Sequence, residues 1–401
     1  MRPNILWIVT TQWRAQACGY SGDPNARTPR LDALAAGSMN FTQAVTPHPF
    51  GPFARAAMLT GVASPANGIR EYFDPLPAGA RTIAHLMGER SYETVFFGKW
   101  HLSSRDSAAR LVGEDHARTL VPKEHRGGFS FWEGFESGFL LNDPWLHGTR
   151  LGAPARFEGY QSDVLCGRAL EFLRGLAGPW FAVVSLEAPH PPYDAPAPGA
   201  RAAAGAPALR GNVPADPGVR ERALRELPGY YAHIEATDRS IGTLVDGLDP
   251  GTVVVFTSVH GDMHGSHGLF RKGWPHEESV RVPLLARGPW RAGSDDRPFS
   301  LIDLPGLAAS WADGGREAAG QTVPGAEGIA RMSMPSVVRL PDQCDRPWSG
   351  VRTRTRKLVL NQDGTPWLFF DLESDPLELR NLALSGAHSA EIRRLFPRVS
   401  R

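Results

Sequence analysis

Four short runs rich in β-branched and apolar residues, at 4–10, 92–97, 180–186 and 252–258, constrain this chain more than anything else in it. Near-continuous apolar runs of this length suit strands buried on both faces, as in a parallel sheet. Stretches with helical spacing fall around them, at 28–36, 82–90, 163–176, 220–248 and 303–312. Strands alternating with helices define an α/β domain, and such a sheet takes its ligands at the carboxyl ends of its strands. Polar clusters stand at those ends: Thr11-Gln12-Trp13-Arg14, Gly98-Lys99-Trp100-His101, Ala188-Pro189-His190 and Val259-His260-Gly261-Asp262.

A chain of 401 residues has room for one large α/β domain, expected over 1–335, and a small second unit over 336–401. Alternating apolar and polar residues over 348–384, with Asp363-Gly364 as a hairpin turn, put strands and a closing helix in that second unit. Residues 195–217, rich in Pro, Ala and Gly, read as a surface loop, 106–125 as a charged loop and 314–328 as a linker. A net charge of +1 argues against nucleic acid or a membrane surface as a partner through bulk charge, so any affinity for anions is local. Cys18, Cys166 and Cys344 are odd in number and far apart, which suits reduced thiols and neither a disulfide frame nor a zinc cluster. The opening MRPNILWIVTT has too short an apolar run for a signal peptide or a membrane span and reads as a buried strand, which points to the cytoplasm.

The stretch 49–61, PFGPFARAAMLTG, resembles the signature of the type I sulfatases, in the alkaline-phosphatase superfamily. That signature runs Cys-x-Pro-x-Arg, then a small-apolar helix start and Thr-Gly. Its cysteine is oxidised to formylglycine, whose hydrate is the nucleophile. GKWH at 98–101, PHPPYDAP at 189–196, HGDMHGSHG at 260–268 and EESVRVP at 277–283 follow in family order and extend the resemblance over nearly the whole chain. The resemblance implies a large mixed, mostly parallel sheet flanked by helices, a small C-terminal antiparallel sheet and helix, and a sulfated small-molecule substrate. On matching positions it implies that Lys99 and His101 contact the sulfate and the attacking group, that His190 donates to the leaving-group oxygen or the sulfate, and that Lys272 bridges the two. Arg55 either braces the signature turn or faces the anion, and His190 is otherwise a loop histidine between prolines. His264 and His276 stand where the family pattern has no histidine; they are either new functional groups or ordinary polar side chains.

The departures matter as much. Gly51 falls on the cysteine position and Phe53 on the proline. Thr11 and Gln12 stand where the family has Asp-Asp or Asp-Gln, and Val259 stands on the first aspartate of Asp-His-Gly-Asp, with His260 kept. A calcium or magnesium site needs several anionic oxygens, and these residues offer too few, so neither a metal nor a cofactor is expected. Thr11 either sits beside the substrate or caps the next turn. The helix that opens after Gly51 presents free N–H groups and a positive dipole end, which suit an anion. Arg55, Gly51, Thr11, Gln12, His264 and His276 are therefore expected around the substrate anion, with Lys99, His101, His190, Lys272 and His260 as the catalytic set.

A cationic pocket without a nucleophile suits expulsion of sulfate from carbon, by a displacement within the substrate that closes a ring or by elimination. Lysine and histidine donors stabilise the charge that develops as the C–O bond breaks, and a neutral imidazole serves as base. Such a reaction belongs to small-molecule biosynthesis. Two other readings stay open: a non-catalytic pseudo-sulfatase that binds an anion or stabilises a partner subunit, and a hydrolase of sulfate or phosphate esters. A homo- or hetero-oligomer is compatible with all three.

Overall fold

Strand Ile5–Thr10 runs through the middle of a ten-stranded sheet in the computed structural model of the chain, which describes residues 2–201, 205–318 and 328–399. Trp180–Ser185 lies parallel to it on one side and Val253–Ser258 on the other. Glu93–Lys99 pairs parallel with Trp180–Ser185, and Phe131–Phe135 continues the parallel run. Leu284–Arg287 is antiparallel to Val253–Ser258, which makes the sheet mixed. All four expected strands are present, and each of the central ones is buried on both faces. Ile5, Trp7 and Val9 point into one apolar core, and Leu6 and Ile8 into the other, as a strand's period of two requires.

Helices Gln161–Arg174 and Pro217–Asp246 pack on the second core through Leu165, Leu173, Ile234 and Leu244. Helix Gly51–Thr60 packs on the first and is longer than the signature suggests, since Gly51 itself is its first residue. Asp216 caps the long helix by accepting from Val219 N at 2.9 Å. Residues 202–204 of the expected surface loop and 319–327 of the expected linker lie outside the described residues. Cys18, Cys166 and Cys344 are free and buried. No helix among the described residues is long and apolar enough to cross a membrane.

The small sheet is antiparallel, with strands Ile329–Met334, Trp348–Thr353, Arg356–Asn361 and Pro366–Asp371 in that order. Its first strand precedes residue 336, and the Asp363-Gly364 turn links its last two strands. Helix Ser389–Val399 covers one face with Ile392, Leu395 and Val399. A buried ionic cluster ties this sheet to the large domain. Glu277 Oε2 lies 3.0 Å from Arg352 Nη2, Glu277 Oε1 lies 2.7 Å from Lys357 Nζ, and Lys357 Nζ also donates to Pro275 O at 3.0 Å. Burial alone would raise the Glu277 carboxyl; Arg352, Lys357 and Arg281 outweigh it and hold the group well below its ordinary 4.5. Its contribution to stability is therefore present above that value and is lost as pH falls through the depressed one. Glu277→Gln leaves the buried Arg352 without its close carboxylate and Lys357 with Glu378 alone, and is expected to cost about 3–5 kcal/mol, read as a lower urea midpoint.

Candidate active site

The four strand ends reach one edge of the sheet, with Val9 level with Ser185 and Thr10 level with Ser258. Gly98 makes the close approach possible: it has φ +100°, and a Cβ there would lie 2.0 Å from Ser185 O. Past the strands the chain turns through left-handed residues, Gln12 at φ 73° and His101 at φ 59°. Such backbone is uncommon outside glycine and gathers at functional sites. Arg55 locks the ends together. Its guanidinium donates to Lys99 O at 3.1 Å, Ser185 Oγ at 2.5 Å and Thr11 Oγ1 at 2.7 Å.

A cavity of about 320 Å³ opens on this edge, with Thr11, Gly51, Lys99, His101, His190, His260 and Lys272 on its wall. Tyr72, Leu111, Val112, Phe139, Leu340 and Pro341 supply an apolar side. Phe139 stacks on His190 at 4.4 Å and lies 4.5 Å from Lys99 Nζ. Lys99 Nζ donates to Glu187 Oε1 at 2.7 Å, and Lys272 Nζ donates to Gln12 Oε1 at 2.6 Å.

Hydrogen-bond partners fix the histidine tautomers. His101 Nε2 lies 2.7 Å from Arg105 Nη1, and a guanidinium only donates, so the ring proton sits on Nδ1. His190 donates from Nδ1 to Pro191 O at 2.7 Å, and its Nε2 accepts from Lys272 at 2.9 Å. His260 donates from Nδ1 to Gly261 O at 3.0 Å. Among the described residues the His101 Nδ1–H and the His260 Nε2 lone pair have no hydrogen-bond partner, and both are buried. Burial, reinforced by the nearby cations, holds all three imidazoles well below 6.5, so they are neutral at pH 7. Burial brings Lys99 down to about 8 against the opposing pull of Glu187, and burial together with Lys99 brings Lys272 down to about 7.

Seven of the expected residues thus line one cavity. Arg55 and Gln12 lie behind its wall, holding Thr11 and Lys272. His264 is buried 4.2 Å from the Tyr230 ring, and His276 stacks on His267 at 4.3 Å; neither lines the cavity. Glu187, Arg105, Glu136 and Tyr193 escaped the sequence reading. Glu136 accepts from Ser103 N at 3.1 Å and lies 3.4 Å from Arg105; burial lifts its carboxyl to about 7. A signal existed only for Arg105, four residues after His101 in the charged stretch that follows GKWH.

The cation and the formylglycine that the resemblance carries do not fit these residues. Gln12 Oε1 accepts from an ammonium. The Thr11 hydroxyl donates to Leu186 O at 3.0 Å and accepts from Arg55, and Val259 is apolar. Asp262 is saturated: Oδ1 accepts from His264 N and Arg271 N, and Oδ2 from Tyr193 and Gln12. A Cβ on Gly51 would lie 2.9 Å from His101 Nδ1. Elsewhere among the described residues, His267, Glu278 and Glu378 bring ligand atoms within 4.8 Å of one another. Arg210 at 2.9 Å and Lys357 at 2.6 Å already compensate those two carboxylates.

Residues 3–314 match the sulfatase family model. The chain is similar to an ulvan-active sulfatase of Formosa agariphila, 31% identical over 95% of this chain and 77% of that protein. It is similar to an arylsulfatase of Clostridium perfringens, 24% identical over 98% of this chain and 92% of that one. In fold it matches a structure solved in complex with its substrate D-glucosamine-2-N,6-O-disulfate, with a TM-score of 0.80, 19% identity, and coverage of 100% of this chain and 97% of that one.

Sulfate is expected to bind with net proton uptake. A bound anion favours the ammonium forms of Lys272 and Lys99, whose free values of about 7 and 8 lie far below 10.5, so affinity falls as pH rises through this range. Calorimetric titration at pH 8 in buffers of different ionisation enthalpy checks this; a binding heat that ignores the buffer contradicts it.

Proposed function

This chain belongs to the sulfatase family, and from that premise we propose that it binds the sulfate ester of a small molecule and expels the sulfate from carbon without hydrolysing it. One observation carries the reading. The imidazole of His101 fills the space where a nucleophilic side chain at position 51 would stand, while Lys99, held by Glu187, and Lys272, held by Gln12 and His190, stand on the same cavity wall, where an ammonium's remaining N–H can reach an oxyanion. Relatives named for sulfate esters support the sulfate part.

In the proposed reaction Lys99, Lys272 and the His101 Nδ1–H surround the sulfate oxygens. As the C–O bond breaks, its electron pair leaves with the sulfate, and these donors stabilise the growing charge where they already stand. His260 Nε2 takes the balancing proton. In ring closure that proton comes from a substrate amine whose lone pair forms the new C–N bond. In elimination it comes from the neighbouring carbon, and the C–H pair becomes the double bond. His260 suits the task because it is neutral, its lone pair is unengaged and Gly261 O fixes its tautomer. Arg105 is a positioning residue that keeps the His101 proton on the nitrogen nearest Gly51.

A panel of 2-aminoalkyl sulfate esters, labelled with ¹⁸O at the bridging oxygen, tests the bond that breaks. The label is expected in the released sulfate; label retained in an alcohol product means S–O hydrolysis and rejects the proposal. Absence of release from every ester, with a tight complex to another subunit instead, favours the non-catalytic reading. His260→Asn is expected to lower kcat by about 100-fold or more while leaving sulfate affinity near that of the unaltered protein. Gly51→Ser places a hydroxyl against His101 and is expected to lower turnover by about 100-fold without creating hydrolysis, checked by the same label.

A further inference from the structure

A second cavity, of about 400 Å³, lies along the segment that follows Gln12, with Arg14, Arg210 and Arg281 on its wall and Asp23 as the one carboxylate among its lining residues. The three guanidiniums are unequally compensated. Arg210 donates to Glu278 Oε1 at 2.9 Å. Arg281 lies 3.8 Å from a Glu277 carboxylate that Arg352 and Lys357 hold more closely. Arg14 is 2% exposed, and its only side-chain hydrogen bond among the described residues goes to the neutral Tyr231 hydroxyl, at 2.9 Å. The Nε groups of Arg14 and Arg281 are buried without a hydrogen-bond partner among the described residues. Asp23 hydrogen-bonds to neither and favours the Arg14 charge only through space: Oδ2 accepts from Tyr231 at 2.6 Å and Oδ1 from Asn25 N at 2.9 Å.

A guanidinium taken out of water with N–H groups that no acceptor engages is costly, and an oxyanion that accepts from them lowers the cost. Arginine is also the side chain whose planar fork fits carboxylate and phosphate oxygens. We propose that this cavity is a second binding site, for a small metabolite that carries a phosphate or carboxylate group. The volume falls in the range of small-molecule sites and exceeds what a bare inorganic anion fills. Leu209, Pro376 and Leu377 add apolar lining for the organic body. The site is independent of the proposed sulfate chemistry, since none of its three arginines lines the first cavity.

Crystals of the full chain soaked in selenate locate both sites by anomalous diffraction. A peak is expected within hydrogen-bond distance of Arg14 or Arg281, besides any at Lys99 and Lys272. Arg281→Gln is expected to remove that second peak and leave the first unchanged; Arg14→Gln is the companion variant, and Arg281→Gln carries the test if burial makes the other fail to fold. Calorimetry with glucose 6-phosphate and with succinate separates phosphate from carboxylate ligands. At least one is expected to bind more tightly than inorganic phosphate and to lose about tenfold or more in affinity in Arg281→Gln. No selenate in this cavity at saturating concentration, a peak that survives Arg281→Gln, or neither organic probe outbinding inorganic phosphate overturns the proposal.

Discussion

The contact between Lys272 Nζ and Gln12 Oε1, at 2.6 Å, governs how the rest of the site is arranged. Gln12 faces two ways. Its oxygen accepts from the ammonium, and its amide nitrogen donates to Asp262, so the carboxylate and the lysine are joined through a neutral group. Asp262 spends its remaining lone pairs on Tyr193 and two backbone amides. Burial works against this carboxylate, and His264, Arg271, Tyr193 and Gln12 outweigh it, holding it well below its ordinary range. Asp262 therefore remains charged yet has its oxygens engaged and none left to offer a cation.

Neutral imidazoles complete the arrangement. Each of the three cavity histidines has one nitrogen fixed, by Arg105, Pro191 O or Gly261 O, and the partner's chemistry decides which nitrogen keeps the proton. The outcome is asymmetric. His101 is left with a free donor and His260 with a free acceptor, both buried. A donor for the leaving oxyanion and an acceptor for the proton that must go elsewhere are the two groups that an expulsion reaction needs.

Much of this was legible in the sequence, because strand ends are. The apolar runs fixed where the sheet lies, and the polar residues after them had to meet at one edge, which is how Thr11, Lys99, His190 and His260 converge. Gly51 was legible too, since a missing side chain needs no structure to be noticed. The supporting layer was not. Glu187 reads as one more residue of a strand exit, and only the pairing of Trp180–Ser185 with Glu93–Lys99 sets its carboxylate on Lys99. Arg55 looked equally able to face an anion or to brace the turn; its side chain reaches under the cavity, between Thr11 and Ser185, because its helix begins as early as Gly51. His264 and His276 lie in a motif-rich stretch but on turns that carry them to Tyr230 and His267, away from the cavity.

A divalent ion and a pair of buried lysines solve the same problem under different constraints. The ion is always charged, so it needs carboxylates to hold it, and those carboxylates occupy the strand ends. A buried lysine can shed its charge when no anion is near. Burial and mutual repulsion bring Lys272 to about 7 and burial brings Lys99 to about 8, which makes each ammonium inexpensive to neutralise before a substrate arrives. In the proposed reading an arriving sulfate restores the charge by drawing a proton onto the amine, so the positive potential rises where and when the oxyanion binds. A carboxylate hydrogen-bonded to Lys272 would work against this by stabilising its ammonium at all times, as Glu187 does in part for Lys99 at 2.7 Å. The threonine at position 11 and the valine at position 259 then add no further carboxylate to an edge that already sets Glu187 against Lys99 and Asp342 in the cavity lining, so the proposed anion meets a lysine, Lys272, whose charge it can still raise.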